Sequence, residues 1–264
     1  MVIIGNSGSG KTKFLFKFWL EQYLDIQKVV FVSPVLSQNE YRVIIKSLQK
    51  GLSINQIRTI FEEQKHITNI DSALDIITLN DNIKSSKLEV VELEHPDDIP
   101  LLNKLNPRGN KKTLVIIDDC TIINSVNLTQ LFVFGRPLNI NPIYLSQKQT
   151  KFPCTIRENC NVVVLFKQTV RAINDFIYKE IDDQFENDTE IKTFVHANIK
   201  DKHDFVLYNK DEDKWYDRTL NPITLDGGRF KFIERSDQND LSILNSPYLK
   251  FISSAIKDKL YPNE

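Results

Sequence analysis

The sequence predicts an α/β fold: a mainly parallel sheet flanked by helices, with a C-terminal β-hairpin and tail. Three observations predict it. Short apolar runs recur along the chain, helix-length stretches separate them, and a glycine-rich turn joins the first run to the first helical stretch. The runs are Met1–Ile4, Val29–Val32, Leu114–Ile117, Pro142–Leu145 and Val162–Phe166. Each is almost continuously apolar, as expected of strands buried on both faces of a parallel sheet.

The elements follow in order. The stretch Lys11–Tyr23 reads as an amphipathic helix directly after the glycine-rich turn. Gln38–Leu48, Ile54–Gln64, Asn127–Phe134 and Val170–Phe185 supply the remaining helical stretches. Between 72 and 110 the pattern weakens: LEVVEL, Leu88 to Leu93, reads as an extra strand, and DDIPLLNKL, Asp97 to Leu105, as a short helix. FVLYNKDEDKWYD, Phe205 to Asp217, reads as two strands around an Asn/Asp-rich turn, a hairpin. The organisation expected is one large domain over 1–225 and a tail over 226–264, mobile or docked on a partner, with one helix near Tyr248–Leu260.

At 264 residues and 41% apolar, the chain can bury a sizeable core. Its 34 Lys and Arg against 35 Asp and Glu exclude a uniformly basic nucleic-acid coat. The balance is uneven, however. Residues 101–172 carry 10 Lys and Arg against 3 Asp and Glu. Lys148 and Lys151 sit in this positive stretch, next to the fourth apolar run, and are candidate nucleic-acid contacts. Cys120, Cys154 and Cys160 form neither a disulfide framework nor a zinc-ligand spacing, which suits a reducing compartment. No apolar run approaches the ~20 residues of a bilayer span, and no signal-peptide pattern opens the chain. A soluble protein inside a cell, a host or a particle is expected, and the start of the first strand at Met1 leaves upstream sequence an open question.

GNSGSGKT, from Gly5 to Thr12, matches G-x-x-x-x-G-K-[ST] at every fixed position. Such a loop turns successive backbone N–H groups of Gly5, Asn6, Ser7, Gly8, Ser9 and Gly10 around a phosphate. Lys11 adds a point charge for the β- and γ-phosphates, Thr12 a hydroxyl for Mg²⁺, and the helix that follows its positive dipole end. This pattern predicts a P-loop NTPase binding ATP and Mg²⁺.

TLVIIDDC, from Thr113 to Cys120, ends an apolar strand in two aspartates at the edge where ligands of parallel sheets bind. Asp118 is the candidate metal residue and Asp119 the candidate for orienting or deprotonating the attacking water. PIYLSQ, ending at Gln147, offers an amide that can hydrogen-bond the γ-phosphate or the water. Arg136 and Arg157 flank that strand. A planar, permanently charged guanidinium suits transition-state charge, and either arginine is a candidate finger reaching a neighbouring subunit's γ-phosphate.

In order, GNSGSGKT, LVIIDDC, FGRPLNINPIYLSQ and FPCTIRENCNVVVLFK resemble the poxvirus-type DNA-packaging ATPases of nucleocytoplasmic large DNA viruses and virophages, within the FtsK–HerA superfamily. The resemblance covers roughly 1–217; this chain has Pro137 where many relatives have His after the Gly-Arg pair. It implies a RecA- or FtsK–HerA-like fold, Lys11 and Thr12 on ATP and magnesium, and Asp118 and Asp119 on the metal and the water. Gln147 is then the nucleotide sensor, and Arg136 or Arg157 the finger. It further implies a homo-oligomeric ring, pentamer or hexamer, that moves double-stranded DNA into a preformed capsid through capsid or portal proteins. The location implied is the virus factory in the host-cell cytoplasm, and the virion. The alternative is a nucleotide-dependent assembly switch that binds capsid proteins without pumping DNA. A GTPase is disfavoured, since Asn209-Lys210 is followed by Asp211-Glu212 and not by N-K-x-D.

Overall fold

The computed structural model describes residues 1–21, 26–52, 57, 88–120, 125–147, 153–181, 184–185, 187–226 and 229–232. The described strands are β1 (Val2–Ile4), β2 (Lys28–Val32), β3 (Glu89–Leu93), β4 (Thr113–Asp118), β5 (Ile140–Ser146), β6 (Val162–Phe166), β7 (Phe205–Asn209), β8 (Lys214–Tyr216), β9 (Pro222–Asp226) and β10 (Arg229–Phe232). The described helices are α1 (Lys11–Glu21), α2 (Asn39–Gln49), α3 (Leu102–Leu105), α4 (Val126–Phe134), α5 (Cys154–Glu158), α6 (Val170–Glu180) and α7 (Asp188–Asn198). They fall into two compact units, Thr12–Ile143 on the one hand and Met1–Lys11 with Tyr144–Glu264 on the other.

In the unit Thr12–Ile143, β2 lies between β3 and β4, all parallel. Val30 faces Val91 on one side and Val115 on the other. All six residues of β4 are buried, which is why its apolar run is unbroken. β3 is the half-exposed edge, and its glutamates discourage further strand pairing. Lys28 and Lys111 hold Glu89 at 2.9 and 2.5 Å. The segment expected as one helix over Asp97–Leu105 is broken. Pro96–Asp98 forms a 3-10 turn, Ile99 is extended with ψ 119°, and α3 starts only at Leu102. Pro100 is the cause: its ring bars the helical conformation to Ile99 and removes a backbone donor.

In the other unit, β1 lies between β5 and β6, all parallel, with Ile4 opposite Ser146 and Leu165. From β6 onward the pairing is antiparallel, β6 to β7 to β8 to β9 to β10. The expected hairpin is therefore β7–β8, and β9 and β10 lie on either side of residue 227. The stretch expected as one helix over Val170–Phe185 leaves helical geometry at Ile181, φ −144°. Asp182 and Asp183 follow there, where negative charge opposes the helix dipole. α7 was not expected, although its start is legible: the Asn187 side chain accepts from the Thr189 and Glu190 N–H groups, and Asp188 and Glu190 sit in the first turn. The helices expected at Ile54–Gln64 (Ile57 apart) and Tyr248–Leu260 lie outside the described residues. Among the described residues, no helix is long and apolar enough to cross a membrane.

Candidate functional site: a phosphate loop and a Thr–Asp–Tyr cluster

β1 delivers the glycine-rich loop to the carboxyl edge of its parallel neighbours. The Gly5 N–H donates to the Ser146 carbonyl at the end of β5, at 3.0 Å. Gly5 is required by close approach: a Cβ there would stand 2.6 Å from both the Phe166 Cβ and the Ser9 Oγ. Gly10 is required by its backbone, at φ 101°. The Ser9 N–H closes a turn onto the Asn6 carbonyl at 3.1 Å. Lys11, the first residue of α1, is buried, and its ammonium donates to the Gly5 carbonyl at 2.8 Å and the Asn6 carbonyl at 3.1 Å. The charge thus lies across the mouth of the loop. The Ser9 hydroxyl is buried and has no hydrogen-bond partner among the described residues. A cradle that only glycine fits, a lysine at its mouth and an orphaned hydroxyl within it suit a polyphosphate anion.

Within the unit Thr12–Ile143, the fold brings Thr12 and Asp118 together. Asp118 ends β4 at 7% exposure, and its Oδ2 accepts from the Thr12 hydroxyl at 3.3 Å. The same oxygen accepts from the Tyr41 hydroxyl at 2.5 Å. Tyr41 lies in α2, wedged edge-on against Phe16 of α1 (centroids 5.3 Å apart) and Phe31 of β2 (6.2 Å). Burial, and then the Asp118 charge, hold the Tyr41 hydroxyl well above the usual tyrosine range, so it remains a donor. A hydroxyl and a carboxylate this close form an all-oxygen pair of the kind that hard divalent cations accept. Tyr41 was missed from the sequence. Its only signal is position, since Tyr41, Ile44, Ile45 and Leu48 form the buried stripe of α2 and the tyrosine occupies a core place in it.

The other candidates are placed as follows. Asp119 is exposed and left-handed at φ 51°, a backbone that Asp tolerates better than most residues. Gln147 is exposed, one residue past the Ser146 carbonyl that holds Gly5. Arg136 is exposed at the 3-10 turn after α4. Arg157, in α5, has its Nε 3.2 Å from Glu180 Oε1 at the end of α6. Lys148 and Lys151 lie outside the described residues. His203, which the sequence reads as a surface or capping residue for want of any ligand spacing, has its Nδ1 3.0 Å from the Ser9 carbonyl.

A family model described as Poxvirus A32 protein matches residues 1–182. The chain belongs to the poxvirus A32 family. The phosphate loop, the Thr12–Asp118–Tyr41 cluster, Gln147 and Arg157 all lie within the stretch that the family covers. Among solved structures, the A32-family chain is similar to the genome packaging NTPase B204 of Sulfolobus turreted icosahedral virus 2. In its complex with ATP-gammaS the TM-score is 0.51 at 12% identity, over 82% of this chain and 94% of that one. In its complex with sulfate the TM-score is 0.50 at 17% identity, over 82% and 93%. At these identities the likeness establishes the shared P-loop α/β fold. A comparison with curated proteins finds no match.

Proposed function

We propose that this A32-family chain is a Mg²⁺-dependent ATPase that drives double-stranded DNA into a preformed viral capsid. On this reading it works as a homo-oligomeric ring against capsid or portal proteins, in the virus factory of the host cytoplasm and on the virion. The observation that carries the reading is the Thr12–Asp118 pair, 106 residues apart in sequence, next in the chain to a lysine-closed phosphate loop. Family membership and a shared fold with a protein named as a genome packaging NTPase support the biological setting.

The residues divide the work. Gly5, Asn6, Ser7, Gly8, Ser9 and Gly10 present backbone N–H groups to the phosphates, and Lys11 moves its charge from the loop carbonyls to the β- and γ-oxygens. Thr12 and Asp118 hold Mg²⁺, which when bound neutralises charge on the β- and γ-phosphates. Tyr41 fixes the Asp118 carboxylate so that its orientation is set before nucleotide arrives. Asp119 orients the attacking water and accepts its proton, and Gln147 senses the γ-phosphate from the end of β5. Arg136 is favoured over Arg157 as the finger for the neighbouring protomer, because it is exposed while Arg157 is held by Glu180. Lys148 and Lys151 contact the DNA backbone.

The test is ATP hydrolysis by the assembled protein with and without double-stranded DNA, alongside particle assembly. DNA should raise the rate, Lys11→Ala should abolish it, and Lys11→Ala particles should accumulate empty. Neutralising Lys148 and Lys151 together should lower the DNA response and its salt slope while sparing ATP binding. An ATPase indifferent to DNA, with normally filled Lys11→Ala particles, would replace the motor by a nucleotide-dependent assembly switch.

A further inference from the structure

Beside the phosphate loop is a cavity of about 440 Å³, within the size range of small-molecule sites. Its walls have two sources. Asn6, Ser7 and Ser9 come from the loop itself, while Lys167, Gln168 and Lys202 come from the end of β6 and from the turn before β7. The turn is built, not loose. Asp204 is buried; one carboxylate oxygen accepts from the Lys200 and Asp201 N–H groups at 3.1 and 2.7 Å, and the other from Arg218 at 2.7 Å. The Lys167 N–H donates to the Asp204 carbonyl at 3.2 Å, and its ammonium to the Lys200 carbonyl. So pinned, the turn rests on the glycines of the loop. The Lys202 ammonium lies 3.3 Å from the place of a Gly8 Cβ, and His203 Nδ1 lies 3.3 Å from that of Gly10.

Resting on the ATP reading above, we propose that this cavity receives the ribose and base of the nucleotide whose phosphates occupy the loop, and that the Lys202–His203 turn holds them there. The loop residues Asn6, Ser7 and Ser9 are shared between cradle and cavity, so one molecule spans both. The remaining lining suits a nucleoside. Gln168 and the Ser7 hydroxyl offer hydrogen bonds to ribose oxygens and ring nitrogens. The Lys202 and Lys167 side chains present aliphatic stems to a flat ring, and Lys202 a cation to its face. His203, on the Ser9 carbonyl, ties the turn to the loop, so that filling one orders the other.

The experiment compares calorimetric binding of ATP and of inorganic tripolyphosphate to the full chain and to Lys202→Ala and Gln168→Ala. Tripolyphosphate fills the cradle and leaves the cavity empty, so it separates the two sites and also shows that each variant is folded. Both variants should lose about tenfold in ATP affinity and keep tripolyphosphate affinity within about twofold. An equal loss for both ligands would assign Lys202 to the phosphates and overturn the cavity assignment, as would unchanged ATP binding. If the unaltered chain binds neither ligand, or if Lys11→Ala leaves both affinities unchanged, the ATP reading itself fails, and the cavity assignment with it.

Discussion

Replacing Tyr41 with Phe removes a single hydroxyl from the interior and leaves its ring in place against Phe16 and Phe31. The hydroxyl donates at 2.5 Å to a carboxylate that is 7% exposed. A hydrogen bond to a charged group contributes about 1.5–3 kcal/mol, and Asp118 keeps a longer one from Thr12 at 3.3 Å. A loss of about 2 kcal/mol is therefore expected, which for a chain of this length lowers Tm by roughly 4–8 °C. The assay is thermal denaturation in EDTA, so that no cation competes for the carboxylate. It is run as a cycle with Asp118→Asn, because only the coupling isolates the pair. The two single substitutions should be non-additive by about 1–2 kcal/mol. Additive effects, or a Tyr41→Phe protein with unaltered Tm, would refute the view that this tyrosine holds the aspartate.

Three further outcomes are expected. Gly5→Ala should destabilise the nucleotide-free protein by about 1–3 kcal/mol in urea denaturation, since its Cβ meets the Phe166 Cβ and the Ser9 Oγ at 2.6 Å and a Cβ cannot swing aside. Of the three cysteines, exposed Cys154 should be alkylated in the native state, while buried Cys120 and Cys160 react only after unfolding; mass-resolved labelling reads this directly. Burial, followed by the hydrogen bond to Glu212 at 2.8 Å, raises the Tyr216 hydroxyl above its ordinary value. Its stabilising contribution is whole below about pH 10 and is lost as pH rises beyond it, so Tyr216→Phe should flatten the alkaline fall in stability. An equally steep fall in that variant would assign the effect to other groups.

Much of the fold was legible because buried parallel strands are written as local apolar runs. All five such runs appear as strands, and LEVVEL appears as the edge strand β3. The readings that failed concern helices. The periodicity of apolar residues carried the Val170 helix past Ile181, and the Asp97–Leu105 segment across Pro100, where backbone constraints outweigh periodicity. α7 was missed even though Asn187 carries a capping signal and Ile191, Phe194 and Val195 form a buried stripe at helical spacing.

The sequence by itself determined the phosphate loop and the acidic strand end, because each is a contiguous motif whose residues act through neighbouring backbone. It also carried the resemblance that family membership supports. Only the tertiary structure decided that Asp118 meets Thr12 and Tyr41, that Arg157 is held by Glu180, and that Lys202 and His203 lie on the glycine loop. These partners lie up to 194 residues apart, and no local pattern records such a distance. Periodicity states which side of an element is buried, whereas the partner it meets depends on strand order and on how each connection returns.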